Sequence, residues 1–386
     1  MSSAPHQTTA AAAASNMDQA PKKRLAVGVI GSGNWGTAIA KICGENARAH
    51  GHHFRSKVRM WVFEEEIEHK GEKRKLTEVF NETHENVKYL PGVECPPNVI
   101  AVPDVREVAR RSDVLVFVVP HQFINKVCDQ MAGHLRPNAV GISCIKGVSV
   151  GKDGVRLFSD VIQEKLGIYC GVLSGANVAN EVAKEQFCET TIGYKPPQAV
   201  ISAEQIVAIF DRPYFSVVSV DDVAGVALGG ALKNIVAMAV GFADGLEWGG
   251  NTKSAIMRRG LLEMQKFATT FFESEPGTMV EQSCGIADLV TSCLSGRNNR
   301  VAEAYVKSGK PIDVLEKELL GGQLLQGAST AKEVHEFLST KDMVNDFPLF
   351  RSVYNICYEN MDAKDLIQVL QPLKEESENE GGTETE

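Results

Sequence analysis

The chain has 386 residues and a formal charge of -9, long enough for two domains that each bury a core. A net acidic chain is poorly matched to a nucleic-acid backbone, which recruits basic surfaces. Nine cysteines without a CxxC pair, and histidines without HExxH spacing, point to reduced thiols and away from a metal centre.

In chain order, residues 1–24 read as a disordered tail rich in Ala, Ser, Thr and Gln, closed by Pro21-Lys22-Lys23-Arg24. Asp18 and the lack of an Arg-rich amphipathic pattern argue against a transit peptide. Leu25 to Ile30 opens an α/β domain expected over 25–220, a Rossmann-like, doubly wound parallel sheet. That strand runs into Gly31-Ser32-Gly33-Asn34-Trp35-Gly36 and a helix over Thr37 to Arg48, the context in which GxGxxG binds a dinucleotide. Gly31 permits the tight turn, Gly33 the approach of a pyrophosphate, and Gly36 the packing of helix on sheet. The helix N-terminus then faces the phosphates with free N–H groups.

The second strand, Val58 to Phe63, is followed by Glu64-Glu65-Glu66. An acid at that edge accepts hydrogen bonds from the adenosine ribose and repels a 2'-phosphate, which favours NAD over NADP. Glu64 lies 28 residues after Gly36, against about 20 in the usual spacing; the polar loop Ala49 to Lys57 absorbs the difference. Which glutamate meets ribose stays open, with Phe63 as an alternative adenine contact. Strands follow at Val99 to Val102, Val114 to Val119, Val140 to Ile145 and Tyr169 to Leu173, with helices over Val105 to Arg111, Gln122 to His134 and Val155 to Leu166. Thr190 to Tyr194 and Phe215 to Val220 extend the sheet. Phe123 and Lys146 sit just past strand ends, where open sheets bind ligands, and so face the nicotinamide half. Phe123 also reads as core packing and Lys146 as a solvated strand end.

From Asp221 the apolar spacing turns helical, giving a helical domain over 221–372 and an acidic disordered tail over 373–386. Ala224 to Phe242 is apolar enough to resemble a membrane span, but Lys233 and Asn234 at its middle are unfavourable in lipid, so it reads as a helix buried in protein. Ketone reduction needs a proton donor shielded from water. A lysine desolvated within an apolar helix has the lowered pKa this requires; the competing reading is a side chain snorkelling to solvent. Asn234 adds a neutral hydrogen bond beside it. Asp288, in Cys284-Gly285-Ile286-Ala287-Asp288-Leu289, is a carboxylate able to pair with a lysine. Ser295-Gly296-Arg297-Asn298-Asn299-Arg300 opens a helix with arginines and amides, as an anion site or a solvated basic turn would.

Together these segments closely resemble the NAD-dependent glycerol-3-phosphate dehydrogenase family in its eukaryotic cytosolic form. The resemblance runs over about residues 25 to 370 and includes GSGNWGTAIAKI, MWVFEEE, NVKYLPG, FVVPHQF, GISCIKG, LSGANVANEVA, GGALKNIVAMAVGFADGL, CGIADLVTSC, SGRNNR and GGQLLQG. It implies Lys233 as general acid/base, with Lys146 and Asp288 completing the polar centre, and Lys146 and Asn234 meeting substrate. Arg297 and Asn298 are placed on the substrate phosphate. The glycine turn (Gly31, Ser32, Gly33, Asn34, Trp35, Gly36), Phe63, Phe123, Lys146, Ala179 and Arg297 are placed along NAD, with Gln326 reaching it from a loop over Gly321 to Gly327. Leu324 stands where some relatives carry lysine. The implied reaction is hydride exchange between NADH and dihydroxyacetone phosphate, giving glycerol 3-phosphate for glycerol and glycerolipid synthesis and cytosolic redox balance. A cytosolic homodimer with no nucleic-acid or membrane partner is expected. The rival readings are a reductase for 3-hydroxy acids or phosphogluconate, and a non-catalytic NADH sensor.

Overall fold

The computed structural model describes residues 23–151, 154–198, 201–320 and 325–371. Its strands are β1 (Val27–Ile30), β2 (Val58–Trp61), β3 (Glu66–His69), β4 (Glu72–Lys75), β5 (Val99–Val102), β6 (Val114–Phe117), β7 (Val140–Ser143), β8 (Val148–Gly151), β9 (Gly154–Leu157), β10 (Tyr169–Gly175), β11 (Cys188–Gly193) and β12 (Phe215–Val220). Among them lie helices α1 (Asn34–Ala49), α2 (Leu76–Thr83), α3 (Val105–Arg111), α4 (Ile124–Met131), α5 (Phe158–Leu166), α6 (Ala179–Ala183) and α7 (Ala203–Phe210).

The main sheet has the order β12-β11-β10-β7-β6-β1-β2-β5. β1 is buried along its whole length, as a parallel strand covered on both faces must be. It pairs in parallel with β2 on one side and β6 on the other. The direction of winding therefore reverses beside β1, and such a switch point opens a crevice at the strand ends.

Three local features depart from the expected pattern. The sheet is parallel except at β10 and β11, which pair antiparallel, so β11 and β12 run against the rest. The link between them, residues 176–187, holds only the 5-residue α6, too little helix to cross the sheet face for a parallel return. The helix expected from Val155 begins instead at Phe158. Val148, Val155 and Leu157 of the β8–β9 hairpin are buried in the core of the helical half, a tertiary gain that overrides helical spacing. A second hairpin, β3–β4, shows no apolar run in the sequence because its strands set opposite charges across from each other, Glu66 opposite Lys75 and Glu68 opposite Lys73. Its turn, Lys70 at φ 53 and Gly71 at φ 82, has the two positive φ values of a type I' hairpin.

Past β12 the chain is helical: α8 (Val223–Gly245), α9 (Gly250–Phe272), α10 (Thr278–Glu281), α11 (Asp288–Ser295), α12 (Arg297–Ser308), α13 (Ile312–Leu320), α14 (Gln326–Thr340) and α15 (Pro348–Tyr358). α8 is apolar all round and is the axle of this half, packed by α9, α11, α12, α14 and α15. Of its most apolar window 89% is buried inside the protein, so the apolar run is a core helix. α8 also leans on β10 and β11, which carries its middle turns to the carboxyl end of the sheet.

Candidate active site

The sheet side of the site is made of backbone. Gly31 takes φ +119, and a Cβ there would lie 2.4 Å from the Val118 carbonyl oxygen, so the turn after β1 admits only glycine. Gly36 lets α1 return across that turn, since a Cβ would stand 2.3 Å from the Gly31 oxygen. Gly33 and Asn34 are exposed, Ser32 is buried, and Trp35 packs against Phe215. A Cβ at Gly33 would meet nothing within 4 Å, so this face is open to an incoming group. α1 starts with no side-chain cap and no acid in its first turn, whereas α7 starts with a full capping box from Ser202 and Gln205. Trp35 N donates to Asn34 Oδ1 at 2.8 Å, and the neighbouring first-turn N–H groups are left for an external anion. Those features fit the pyrophosphate of a dinucleotide.

Phe63 beyond β2 and Phe123 beyond β6 flank this turn and are 71% and 52% exposed, surfaces with no core to explain them. Ala179 opens α6, which packs on α1. The three glutamates differ in availability. Glu64 is occupied in holding the start of α2, accepting from Thr77 Oγ1 at 2.6 Å and Thr77 N at 3.3 Å. Glu66 opens β3 opposite Lys75, with its side chain exposed. Glu65 accepts from Tyr89 Oη at 2.7 Å and pairs with Lys88.

The helical side is made of side chains. Lys233 is buried at the middle of α8, its ammonium donating to Asp288 Oδ1 and, at 2.6 Å, to Ser292 Oγ. Burial, chiefly, pushes its pKa down to about 7; Asp288 opposes that fall and Lys146 adds to it. Asp288 bridges two lysines, because its Oδ2 accepts from Lys146 Nζ at 2.7 Å. Lys146 follows β7 and also donates to the Gly175 carbonyl at the end of β10, 3.3 Å away. A single carboxylate so joins the sheet edge to the helical half. It is placed by a π-helical turn, Ser283–Ala287, directly before α11. That turn lies hard against α8, where a Cβ on Gly229 would come within 2.5 Å of the Cys284 carbonyl oxygen.

One helix further, amides link α8, α12 and α14. Asn298 Nδ2 donates to Asn234 Oδ1 at 2.9 Å, and Asn298 Oδ1 accepts from Gly327 N at 2.7 Å. α12 begins without a side-chain cap or a first-turn acid, as α1 does. Arg297 keeps solvent-accessible surface, yet the protein packed round it and the nearby Arg300 lower its pKa, desolvation first. The uncapped start of α12 beside the Arg297 guanidinium suits a phosphate, whereas the start of α14 is already supplied, with Gly327 N donating to Asn298 and Leu325 N to Glu316 Oε1 at 2.8 Å. The Asn234–Asn298 bond puts this anion end one residue from Lys233.

The structure joins Lys146, Lys233 and Asp288 by direct bonds and Asn234 to Asn298 beside them, with Arg297 next to Asn298 at the start of α12 and Gln326 half-buried at the start of α14. Residues 321–324, including Leu324, lie outside the described residues. Asn298 is better placed to hold neighbouring helices through its side chain than to offer that side chain whole to a ligand. Sequence reasoning missed Ser292, although its place one helical turn after Asp288 puts both on one face.

Family models for the N-terminus and C-terminus of NAD-dependent glycerol-3-phosphate dehydrogenase match residues 26–200 and 222–368. The chain is 84% identical over 375 residues to glycerol-3-phosphate dehydrogenase [NAD(+)] 1 of Schizosaccharomyces pombe, covering 97% of each chain. It is 53% identical over 345 residues to the human cytoplasmic glycerol-3-phosphate dehydrogenase [NAD(+)], covering 89% of this chain and 96% of that one. Among solved structures, GPD1 from Saccharomyces cerevisiae superposes with a TM-score of 0.85 at 48% identity, over 91% of this chain and 100% of that one.

Proposed function

The chain belongs to the NAD-dependent glycerol-3-phosphate dehydrogenase family, and from that premise we propose that it interconverts dihydroxyacetone phosphate and sn-glycerol 3-phosphate with NAD. The observation that carries this reading is the lysine sunk in α8, bonded to Asp288 and Ser292 and one hydrogen-bonded amide pair away from the anion end at Arg297.

Bound NADH supplies the hydride that reduces C2 of the ketone. Lys233 Nζ gives the proton to the C2 oxygen. Two of its three N–H directions are held by Asp288 and Ser292, which leaves one to point at substrate. A pKa near 7 lets the same group accept that proton back in the reverse direction. Asp288 keeps both lysine head groups in place, and Lys146 brings positive charge to the oxygen as it becomes an alkoxide. Arg297 and the uncapped start of α12 hold the phosphate, so binding energy far from C2 fixes the reacting carbon. Along the cofactor, the glycine turn holds the pyrophosphate, and Phe63, Phe123, Ala179 and Gln326 line its length. Of the three acids after β2, Glu64 is held by Thr77, which leaves Glu65 and Glu66 as the acids able to meet the ribose.

Cytosolic residence is supported by the name "cytoplasmic" carried by mammalian relatives. A homodimer rests on family resemblance and is tested by light scattering in solution. The reaction is tested by following NADH absorbance with dihydroxyacetone phosphate, dihydroxyacetone and, in parallel, NADPH. Rapid loss only with NADH and the phosphorylated ketone is expected. Equal rates with the unphosphorylated ketone would remove the phosphate site from the reading.

A further inference from the structure

Asn86 belongs to the NVKYLPG segment, which the reaction as described leaves without a role. It is 1% exposed and lies behind the glycine turn. Its Nδ2 donates to the Ser32 carbonyl oxygen and to Thr37 Oγ1, each at 2.8 Å, while its Oδ1 accepts from Tyr89 N at 3.1 Å. Thr37 Oγ1 donates to the same Ser32 oxygen at 3.2 Å. The Ser32 carbonyl is therefore held by two donors on the inner side of the turn.

In a trans peptide the carbonyl of one residue and the N–H of the next point in opposite directions. A Ser32 carbonyl pinned inward turns the Gly33 N–H the other way, and Gly33 is exposed, with nothing within 4 Å of where a Cβ would stand. We propose that Asn86 is a positioning residue for the cofactor: by gripping the Ser32 carbonyl it aims the Gly33 N–H at the pyrophosphate. The inference rests on the reading of the glycine turn as a dinucleotide site. The same short segment also reaches the end of β2, through the bonds of Lys88 and Tyr89 to Glu65. It thereby sets the phosphate turn and the ribose-side acid from one place.

Asn86→Asp keeps the size of the side chain and its acceptor for Tyr89 N, but puts an oxygen against the Ser32 oxygen. The test is the dissociation constant of NADH, read from its fluorescence on binding, with ADP-ribose and adenosine as competitors. An N–H bond to a charged acceptor corresponds to roughly 10- to 100-fold in affinity. NADH and ADP-ribose should weaken together within that range, and adenosine by no more than about twofold. The loss should appear in KM for NADH rather than in kcat at saturation. Unchanged NADH affinity, or an equal loss for adenosine, overturns the proposal. If Asn86→Asp does not fold, Thr37→Val removes the second grip on the Ser32 oxygen, and a smaller loss confined to the two pyrophosphate ligands is expected; none would overturn it. Failure of the wild-type chain to bind NADH sinks the dinucleotide reading itself, whereas wild-type binding with indifferent variants sinks only the role of Asn86.

Discussion

The glycine turn after β1 offers peptide N–H groups shaped by its own glycines and by the bond of Thr37 to Ser32, five positions apart, with one distant grip from Asn86. The centre on α8 and α11 offers side chains gathered from far away, with Lys146 and Asp288 separated by 142 positions. The first is sensitive to added atoms, because a Cβ at Gly31 or Gly36 would run into backbone that cannot yield. The second is sensitive to removed ones, because each buried charge is held by the others. On the proposed reading, binding of the common cofactor is entrusted to the part that local sequence chiefly fixes. The chemistry lies where only the finished fold can bring the groups together.

Deleting the central side chain tests this division most severely. Lys233→Ala should lower kcat by roughly 10²- to 10⁴-fold, the range of a lost general acid, while NADH affinity stays near that of the wild type. Near-normal turnover would take Lys233 out of the mechanism, and a parallel loss of NADH binding would show that the two halves are not separable. Arg297→Ala comes next, with kcat/KM for the phosphorylated ketone falling roughly 10- to 100-fold, as for a lost bond to a charged group. Inorganic phosphate should then partly restore reduction of unphosphorylated dihydroxyacetone. A kcat defect with unchanged KM for the phosphorylated ketone would move Arg297 from anchoring to chemistry. On the backbone side, Gly31→Ala should cost about 1–3 kcal/mol of stability by denaturant titration, together with weaker NADH binding. A variant as stable as wild type would mean that the turn can relax around a Cβ.

The same division decides how much could be read from the residues alone. GSGNWG lies in one unbroken strand, turn and helix, so both the turn and its ligand class were legible. Lys233 stood out because a charge inside ALGGALKNIVAMAV demands a partner. The identity of the partners was less accessible. Ser292 is an ordinary serine until α11 is set against α8, and Asn298 reads as a surface amide until Gly327 closes on it. Glu64, the first acid after β2, is drawn off by Thr77, a competition that no spacing rule contains. The antiparallel β10–β11 pair and the β8–β9 hairpin were hidden for a related reason, since both are fixed by what they pack against rather than by their own periodicity.

The mildest test of the side-chain half leaves every atom in place and varies pH. Burial lowers the pKa of Lys233 from 10.5 to about 7. Ketone reduction uses the protonated lysine, so its kcat/KM should fall as pH rises through about 7, by at most about tenfold per unit. Oxidation of the alcohol uses the neutral amine and should fall in the opposite direction, as pH drops through the same value. Linkage gives the stability sign independently. Between about pH 7 and 10.5 the unfolded chain holds a proton on this lysine that the folded chain does not, so the contribution of Lys233 to stability rises with pH across that window and its penalty is complete below it. Lys233→Met should flatten that slope in denaturation curves taken across the window. Mirror-image rate profiles together with a flattened slope would tie both effects to one buried ammonium. Profiles that fall together on the same side would instead assign the titration to another group, and an unflattened slope would show that the desolvation of Lys233 does not govern its charge.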